Sequence, residues 1–478
     1  MFYGREDLID SLLTLFKKRG SSLVTCRGRR RIGKSTLIEM FAERADARFI
    51  KVEGLRPRRG LSNSDELSNF VAQLAAQTGC EETPPSNWLN AFIRLDKEID
   101  DAKRTVVLLD EVSWMAHYDI TFSGTLKIAW DNYFKRHPKL VLVVCGSVST
   151  WIRDNIIEDG SFYGRRSLDV VVPELPLAEC VKFWGKAAHR IDRREIVDML
   201  SVTGGVPRYL EEIDPGATAN ENIRRLCFSP KGLLREDFDE MFSDVITRQP
   251  TFTAAVMRTL VDGARSVTEI AEALSMEKGG RISDALSQME ESGIIASDCG
   301  KNPETGRDVR SVRYRLKDNY SRFYLKYIEP VKAVIDGGAF EFGALDRLDG
   351  WEAVMGLAFE NLVVNNFRDL VAPIGFGAAH VISAAPYRKA ASRSGARDGV
   401  QVDLLVQARR AICVVEVKRQ REIGRDVIDE VADKVMRIPC RTGVSIRTAL
   451  VYEGHLAPIV EADGYFDAII PFRQLLGL

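Results

Sequence analysis

Histidine is scarce in this chain, with five in 478 residues, and no two cysteines fall in a Cys-x-x-Cys spacing. The ligand set of a structural zinc site is therefore missing. The eight cysteines, Cys26, Cys80, Cys145, Cys180, Cys227, Cys299, Cys413 and Cys440, are scattered. Several sit in apolar runs such as Leu140 to Cys145, the setting of reduced core thiols rather than of a disulfide framework. No apolar run is long enough to cross a bilayer, so no membrane partner is expected. The opening residues, Met1-Phe2-Tyr3-Gly4-Arg5-Glu6-Asp7, lack a basic-then-apolar leader, and a cytoplasmic chain is expected. Neither sign of charge is in excess: 67 Lys and Arg face 68 Asp and Glu. A surface for nucleic acid must then be local. Repeats and long low-complexity tracts are absent too, and the most linker-like stretch, Arg388 to Gly399, reads as a mobile loop.

What the chain does have is order. Apolar runs at Ser22–Arg27, Arg48–Val52, Thr105–Leu109, Leu140–Cys145 and Leu168–Val172 alternate with helix-like spacing, which predicts an α/β core with a mostly parallel sheet over residues 1–175. Amphipathic helices follow over 176–250, broken at Gly204-Gly205-Val206-Pro207. A compact helical unit with a charged tail spans 251–330. A second α/β pattern fills 331–478. Length alone suggests about three domains.

The first apolar run leads into Gly28-Arg29-Arg30-Arg31-Ile32-Gly33-Lys34-Ser35, followed by Thr36 and an apolar-periodic helix. Strand, glycine loop, lysine and helix in that order form a phosphate cradle. The glycines let backbone N–H groups face phosphate oxygens, Lys34 reaches the β- and γ-phosphates, and Ser35 offers a hydroxyl to Mg²⁺. ATP and Mg²⁺ are the expected cofactors. Val106–Leu109 ends in Asp110-Glu111, an acid to hold the metal and a base to orient the attacking water. Ser147, after the next strand, reads equally as a γ-phosphate sensor or as a strand-end turn. Arg165, in Gly164-Arg165-Arg166, is a candidate arginine finger in cis, or in trans from a second copy in a homo-oligomer.

Together with Phe2-x-Gly4-Arg5-Glu6, Tyr163-Gly164-Arg165 and Gly204-Gly-Val-Pro-Arg-Tyr209, these elements resemble the archaeal-type ATPase family of the AAA+/STAND P-loop superclass. The resemblance covers the first half of the chain. It implies a helical lid over 176–250 and places Pro207 near the base and ribose. The arginine-crowded loop, Arg29-Arg30-Arg31, departs from the pattern; its side chains face solvent, a partner or DNA.

Ser266 or Thr268 starts a helix with Ile270, Ala271 and Leu274 on one face. A Gly279-Gly280 turn, a helix from Arg281 to Met289 and Gly293-Ile-Ile follow. That is the cadence of a winged helix-turn-helix. The segment behind it carries Arg307, Arg310, Arg313, Arg315, Lys317, Arg322 and Lys326, with Tyr314, Tyr320, Phe323 and Tyr324 interleaved. A strip of this kind is expected to follow a DNA backbone, or else to serve an interdomain contact.

In the last domain, Val402–Val406 and Ala411–Lys418 read as a hairpin turning at Arg409-Arg410. A symmetric turn there sets Asp403 opposite Glu416, while Glu416 and Lys418 share a face. Like charges so placed repel unless a cation lies between them. Lys418 beside that cation would stabilise a phosphorane, the logic of metal-assisted phosphodiester hydrolysis. The pattern resembles the PD-(D/E)xK nuclease superfamily. Such folds often carry a further acid on a preceding helix, and Glu360 in the run from Trp351 supplies one. The archaeal-type ATPase family commonly carries a C-terminal domain of this kind. The expected protein is an ATPase that couples nucleotide state to a DNA-acting, Mg²⁺-dependent nuclease-like domain, in genome defence or mobile-element control. Its rival is a STAND-type switch whose last domain binds without cutting.

Overall fold

Every residue is described by the computed structural model except 1, 148, 246–248, 310–311, 342, 378–380 and 390–398. Arg310 and most of the Arg388–Gly399 stretch therefore lie outside the described residues. The chain divides into two compact units, Met1–Glu174 with Ser243–Thr247, and Leu175–Phe242 with Arg248–Leu478.

In the first unit the Val- and Leu-rich runs become five strands: β1 (Ser22–Arg27), β2 (Arg48–Glu53), β3 (Thr105–Asp110), β4 (Leu140–Gly146) and β5 (Arg166–Val171). They pair in the order β2-β3-β4-β1-β5, all parallel. Continuous apolar runs are what a sheet covered on both faces requires. Here β3 and β4 are buried along their whole length. An aromatic core of Phe70, Trp88, Phe92, Phe122 and Phe134 packs on one face of the sheet. Parallel pairing also brings the ends of β1, β3 and β4 to one edge, where the glycine loop, Asp110-Glu111 and Ser147 emerge together.

The second unit begins with helices, among them Arg193–Thr203, Pro207–Leu210, Ala219–Cys227 and Leu233–Val245. Gly204 ends the first of these at φ 57°, and Pro207 opens the next at its first turn, a position that does not miss the amide proton. Helices Pro250–Arg258, Val267–Ala273 and Gly280–Glu291 then surround a small antiparallel sheet of β6 (Arg265–Ser266), β7 (Ile295–Ser297) and β8 (Arg313–Leu316), ordered β6-β8-β7. Ser266 is the cap of the second helix, in a reciprocal capping box with Glu269.

Helix Trp351–Asn365 leads into the last sheet, β9 (Val381–Lys389), β10 (Val400–Ala408), β11 (Ala411–Ile423), β12 (Ser445–Leu456) and β13 (Ala468–Pro471). Its order is β13-β12-β11-β10-β9; β9, β10 and β11 run antiparallel, whereas β12 and β13 run parallel to β11. Helix Asp426–Arg437 makes the crossover from β11 to β12 and packs on β10 and β11. The β10–β11 ladder keeps the register expected of a turn at Arg409-Arg410, from Gln407 opposite Ile412 to Leu404 opposite Val415.

Candidate functional site

The glycine loop begins where β1 ends. Gly28 has φ 150°, and a Cβ there would stand 2.7 Å from the Val172 carbonyl oxygen, so no other residue fits without displacement. Gly33 takes the left-handed conformation at φ 82° and caps helix Lys34–Arg44. Arg5 braces the loop, its guanidinium donating to the Gly33 carbonyl at 3.4 Å and the Pro173 carbonyl at 3.3 Å. Lys34 is buried, with Nζ inside the loop at 3.2 Å from Gly28 O and 3.1 Å from Arg29 O. Ile32 is buried and Thr36 exposed. Arg29 is buried as well, which removes it from the solvent-facing alternative, while Arg30 and Arg31 are half-buried.

Ser35 and Asp110, far apart in sequence, meet: Ser35 Oγ donates to Asp110 Oδ2 at 2.5 Å. A hydroxyl and a carboxylate oxygen on one spot are the donor set a hard cation such as Mg²⁺ takes, with water and phosphate completing its shell. The spacing of the sequence did not point to Lys51, whose ammonium lies 3.4 Å from Asp110 Oδ2. Its place on β2, which pairs directly with β3, is the signal that could have found it. Glu53, on the same strand, is held above the ordinary carboxylate range by burial and by Asp110.

Glu111 adopts the left-handed backbone conformation, φ 49° and ψ 48°, a costly state for a non-glycine residue and one that concentrates at functional positions. Its Oε2 accepts from Ser147 N at 3.1 Å and Ser147 Oγ at 2.9 Å. Ser147 is therefore more than a strand-end turn, because it sets the direction of the acid. Arg165 is engaged elsewhere, in a two-pronged pair with Asp131 at 2.7 and 3.0 Å and on the Ser161 carbonyl. Pro207 belongs to the second unit, at the start of helix Pro207–Leu210.

Much of the basic strip behind the three-helix module is drawn into contacts within the chain. Arg313 is paired with Glu269 at 2.8 Å, and Arg315 with Asp298 at 3.0 Å and with Asn361 and Asn365 of helix Trp351–Asn365. Arg322 is buried on the carbonyls of Val261 and Leu316. Tyr320, Phe323 and Tyr324 are core residues. Arg315 thus joins this module to helix Trp351–Asn365, while Arg313 and Arg322 bond within the module. Arg307 and Lys317 remain at least partly exposed.

In the C-terminal domain, Glu360, Asp403, Glu416 and Lys418 line one cavity of about 400 Å³. The paired ladder stops one step before Asp403, whose Oδ2 instead accepts the Val417 amide at 2.9 Å. Burial and the neighbouring Glu360 push Asp403 up to about 6; burial and Asp403 push Glu416 up to about 7. Lys418 lies 3.0 Å from Glu416 Oε1, on the expected face. Two further residues complete the cluster. Lys434 holds both Glu416 oxygens, at 2.8 and 2.6 Å, and Glu430 bridges Lys418 and Lys434 at 2.8 and 3.0 Å. Among the described residues no group of three or more His, Cys, Asp or Glu is placed to hold a metal ion. The positive charge beside Glu416 comes from Lys434 and Lys418, and Glu360, on the same cavity, acts by charge on Asp403.

Residues 2–213 match an ATPase domain predominantly from Archaea. An uncharacterized protein of Methanocaldococcus jannaschii is 23% identical over 372 residues, 76% of each chain. Among solved structures, the Walker-type ATPase of Pyrococcus abyssi is similar in fold, with a TM-score of 0.51 at 16% identity over 68% of this chain and 96% of that one. No helix among the described residues is long and apolar enough to cross a membrane.

Proposed function

We propose, from the premise that residues 2–213 are an ATPase domain of the archaeal type, that this chain hydrolyses ATP and uses the nucleotide's state to govern a DNA-acting, nuclease-like centre in its C-terminal domain. The observation that carries the first half is the meeting of Ser35 with Asp110 beside Lys34. In this reading the loop amides and Lys34 hold the phosphates. Ser35 and Asp110 hold Mg²⁺, which would offset charge on the phosphates when bound. Glu111, aimed by Ser147, orients the attacking water. Arg165 becomes available as a finger only on leaving Asp131.

The second half rests on Asp403, Glu416 and Lys418 facing one cavity. Mg²⁺ is commonly held by one or two carboxylates with water and substrate phosphate, so the two strand acids suffice without Glu360. Lys418 supplies the charge beside a scissile phosphate. A route between the halves runs through Arg419, the residue after Lys418, which pairs with Asp198 on helix Arg193–Thr203. That helix ends at Gly204-Gly205-Val206-Pro207, the element the family resemblance sets near the base and ribose. The three-helix module keeps the winged-helix cadence and serves as an internal joint.

Lys434 favours a second reading. With both Glu416 oxygens occupied by an ammonium, the domain fits a non-cleaving switch. Plasmid cleavage in Mg²⁺, with and without ATP, separates the two. Cleavage that is lost in Glu416→Gln and altered by ATP supports the nuclease reading; intact ATP turnover with no cleavage in either condition supports the switch.

A further inference from the structure

A second cavity, of about 270 Å³, lies between the three-helix module and the C-terminal domain and shares three wall residues, Glu360, Gln401 and Asp403, with the acid centre. Arg313, Arg315 and Arg322 also line it, together with Asp262 and Asp298. The first two arginines have carboxylate partners in Glu269 and Asp298. Among the described residues Arg322 makes no ion pair: it is 2% exposed, its two hydrogen bonds go to backbone carbonyls of Val261 and Leu316, and Glu360 and Asp262 act on it only through space. The Nε atoms of Arg313 and Arg322 are buried without a hydrogen-bond partner. A buried guanidinium with unmade donors is costly, because donors left unmade cost more than the bonds they would form. Burial and the adjacent Arg315 pull the Arg322 pKa down to about 10 against the opposing charges of Glu360 and Asp262.

We infer that this cavity is a binding pocket for a nucleotide 5′-phosphate, seated on Arg322 and Arg313, with sugar and base against Tyr387 and Leu357. Three observations set the ligand class. The unmade donors belong to guanidinium groups, whose planar N–H groups match phosphate oxygens. At about 270 Å³ the cavity lies just under the roughly 300 Å³ at which ligand pockets start, which limits its occupant to no more than one nucleotide and excludes a duplex. The Tyr387 ring, itself buried, and Leu357 give the apolar surface a sugar and base need. The phosphate could belong to the end of a DNA strand or to a free mononucleotide. As a strand end it deepens the nuclease reading and rests on it, because the next residues of the strand would lie along the Glu360–Asp403 wall.

The test is a binding titration of the full chain carrying Lys34→Ala, so that the glycine loop does not hold the phosphate. It is run in EDTA so that no cleavage is needed. One arm compares a 5′-phosphorylated with a 5′-hydroxyl single-stranded oligodeoxynucleotide; the other compares a nucleoside 5′-monophosphate with the nucleoside. A preference of roughly tenfold for the phosphate form is expected in at least one arm, the size of a charge-assisted hydrogen bond. It should disappear in Arg322→Met and in Leu357→Trp, which fills the cavity without touching charge. The arm that shows it identifies the source. No preference in either arm, or a preference retained in a folded Leu357→Trp chain, overturns the pocket. Cleavage assays do not enter this result: a phosphate preference without Mg²⁺-dependent cleavage keeps the pocket and removes the nuclease reading.

Discussion

Lys434 reaches back from helix Asp426–Arg437 to hold both carboxylate oxygens of Glu416 on β11. The acid is 1% exposed, and its pKa stands near 7, above the 4.5 of an ordinary glutamate. The folded chain therefore keeps a proton that the unfolded chain has lost between about pH 4.5 and 7, and this site's stability falls as pH rises through that window. Lys434→Met removes one of the two cations on Glu416, leaving Lys418, and should cost about 3 kcal/mol at pH 8, less at pH 5 where Glu416 protonates. If Asp403 and Glu416 accept Mg²⁺, the ion should raise the melting temperature of Lys434→Met more than that of the unmodified chain. Equal Mg²⁺ effects in thermal unfolding would contradict the exchange of ammonium for metal.

Arg315 illustrates how a basic residue in a basic strip can be structural. Burial holds its partner Asp298 above the ordinary carboxylate range. Arg315→Ala should destabilise the second unit by roughly 2–3 kcal/mol at pH 8 and by less as the pH is lowered toward the raised pKa of Asp298. Chemical denaturation over that pH range checks this. A loss confined to DNA affinity, with stability unchanged, would return the residue to a nucleic-acid surface.

These two residues mark what the sequence makes legible. Strand β3 and the β10–β11 register are local facts, set by apolar runs and by one tight turn, and both appear in the structure as expected. Lys434 was missed because it lies 18 positions beyond Glu416. Its signal was the next amphipathic helix, with Glu430 and Lys434 one turn apart, since a crossover between parallel strands returns across the sheet face. The strip at Arg313 to Arg322 left two readings open because counting charge says nothing about its direction. The partners Glu269, Asp298 and Asn361 come from three separate elements, and only the folded chain brings them together.

Arg419 joins the acid-bearing strand to helix Arg193–Thr203 through Asp198, whose pKa burial pushes up to about 6 although Arg419 opposes it. Arg419→Met should leave ATP turnover and Mg²⁺ affinity near their original values while abolishing the effect of ATP on the C-terminal centre. Measuring cleavage or DNA binding with and without ATP in this variant tests the strut. A full ATP effect in the variant would place the coupling elsewhere.

His137, at the far end of β4, hydrogen-bonds Asp101 at 2.6 Å and Asp96 at 2.8 Å. Burial alone would lower its pKa, but the two carboxylates outweigh it and hold the imidazolium above its ordinary value. The stability this adds is complete below the unfolded pKa of about 6.5 and is lost as pH rises through the folded value. The first unit should thus unfold more readily at pH 8.5 than at pH 6, and His137→Gln should flatten that difference. An unchanged pH profile in the variant would assign the slope to other groups.

ATP hydrolysis at the Ser35–Asp110–Glu111 edge is the claim on which the rest depends, and steady-state phosphate release from Glu111→Gln tests it most directly. Glutamine keeps the shape but cannot act as the base that orients water, so turnover should fall at least about a hundredfold while ATP binding is retained. Lys34→Ala should lose tight binding itself. Phosphate release from Glu111→Gln at the rate of the unmodified chain would contradict the assignment of the site.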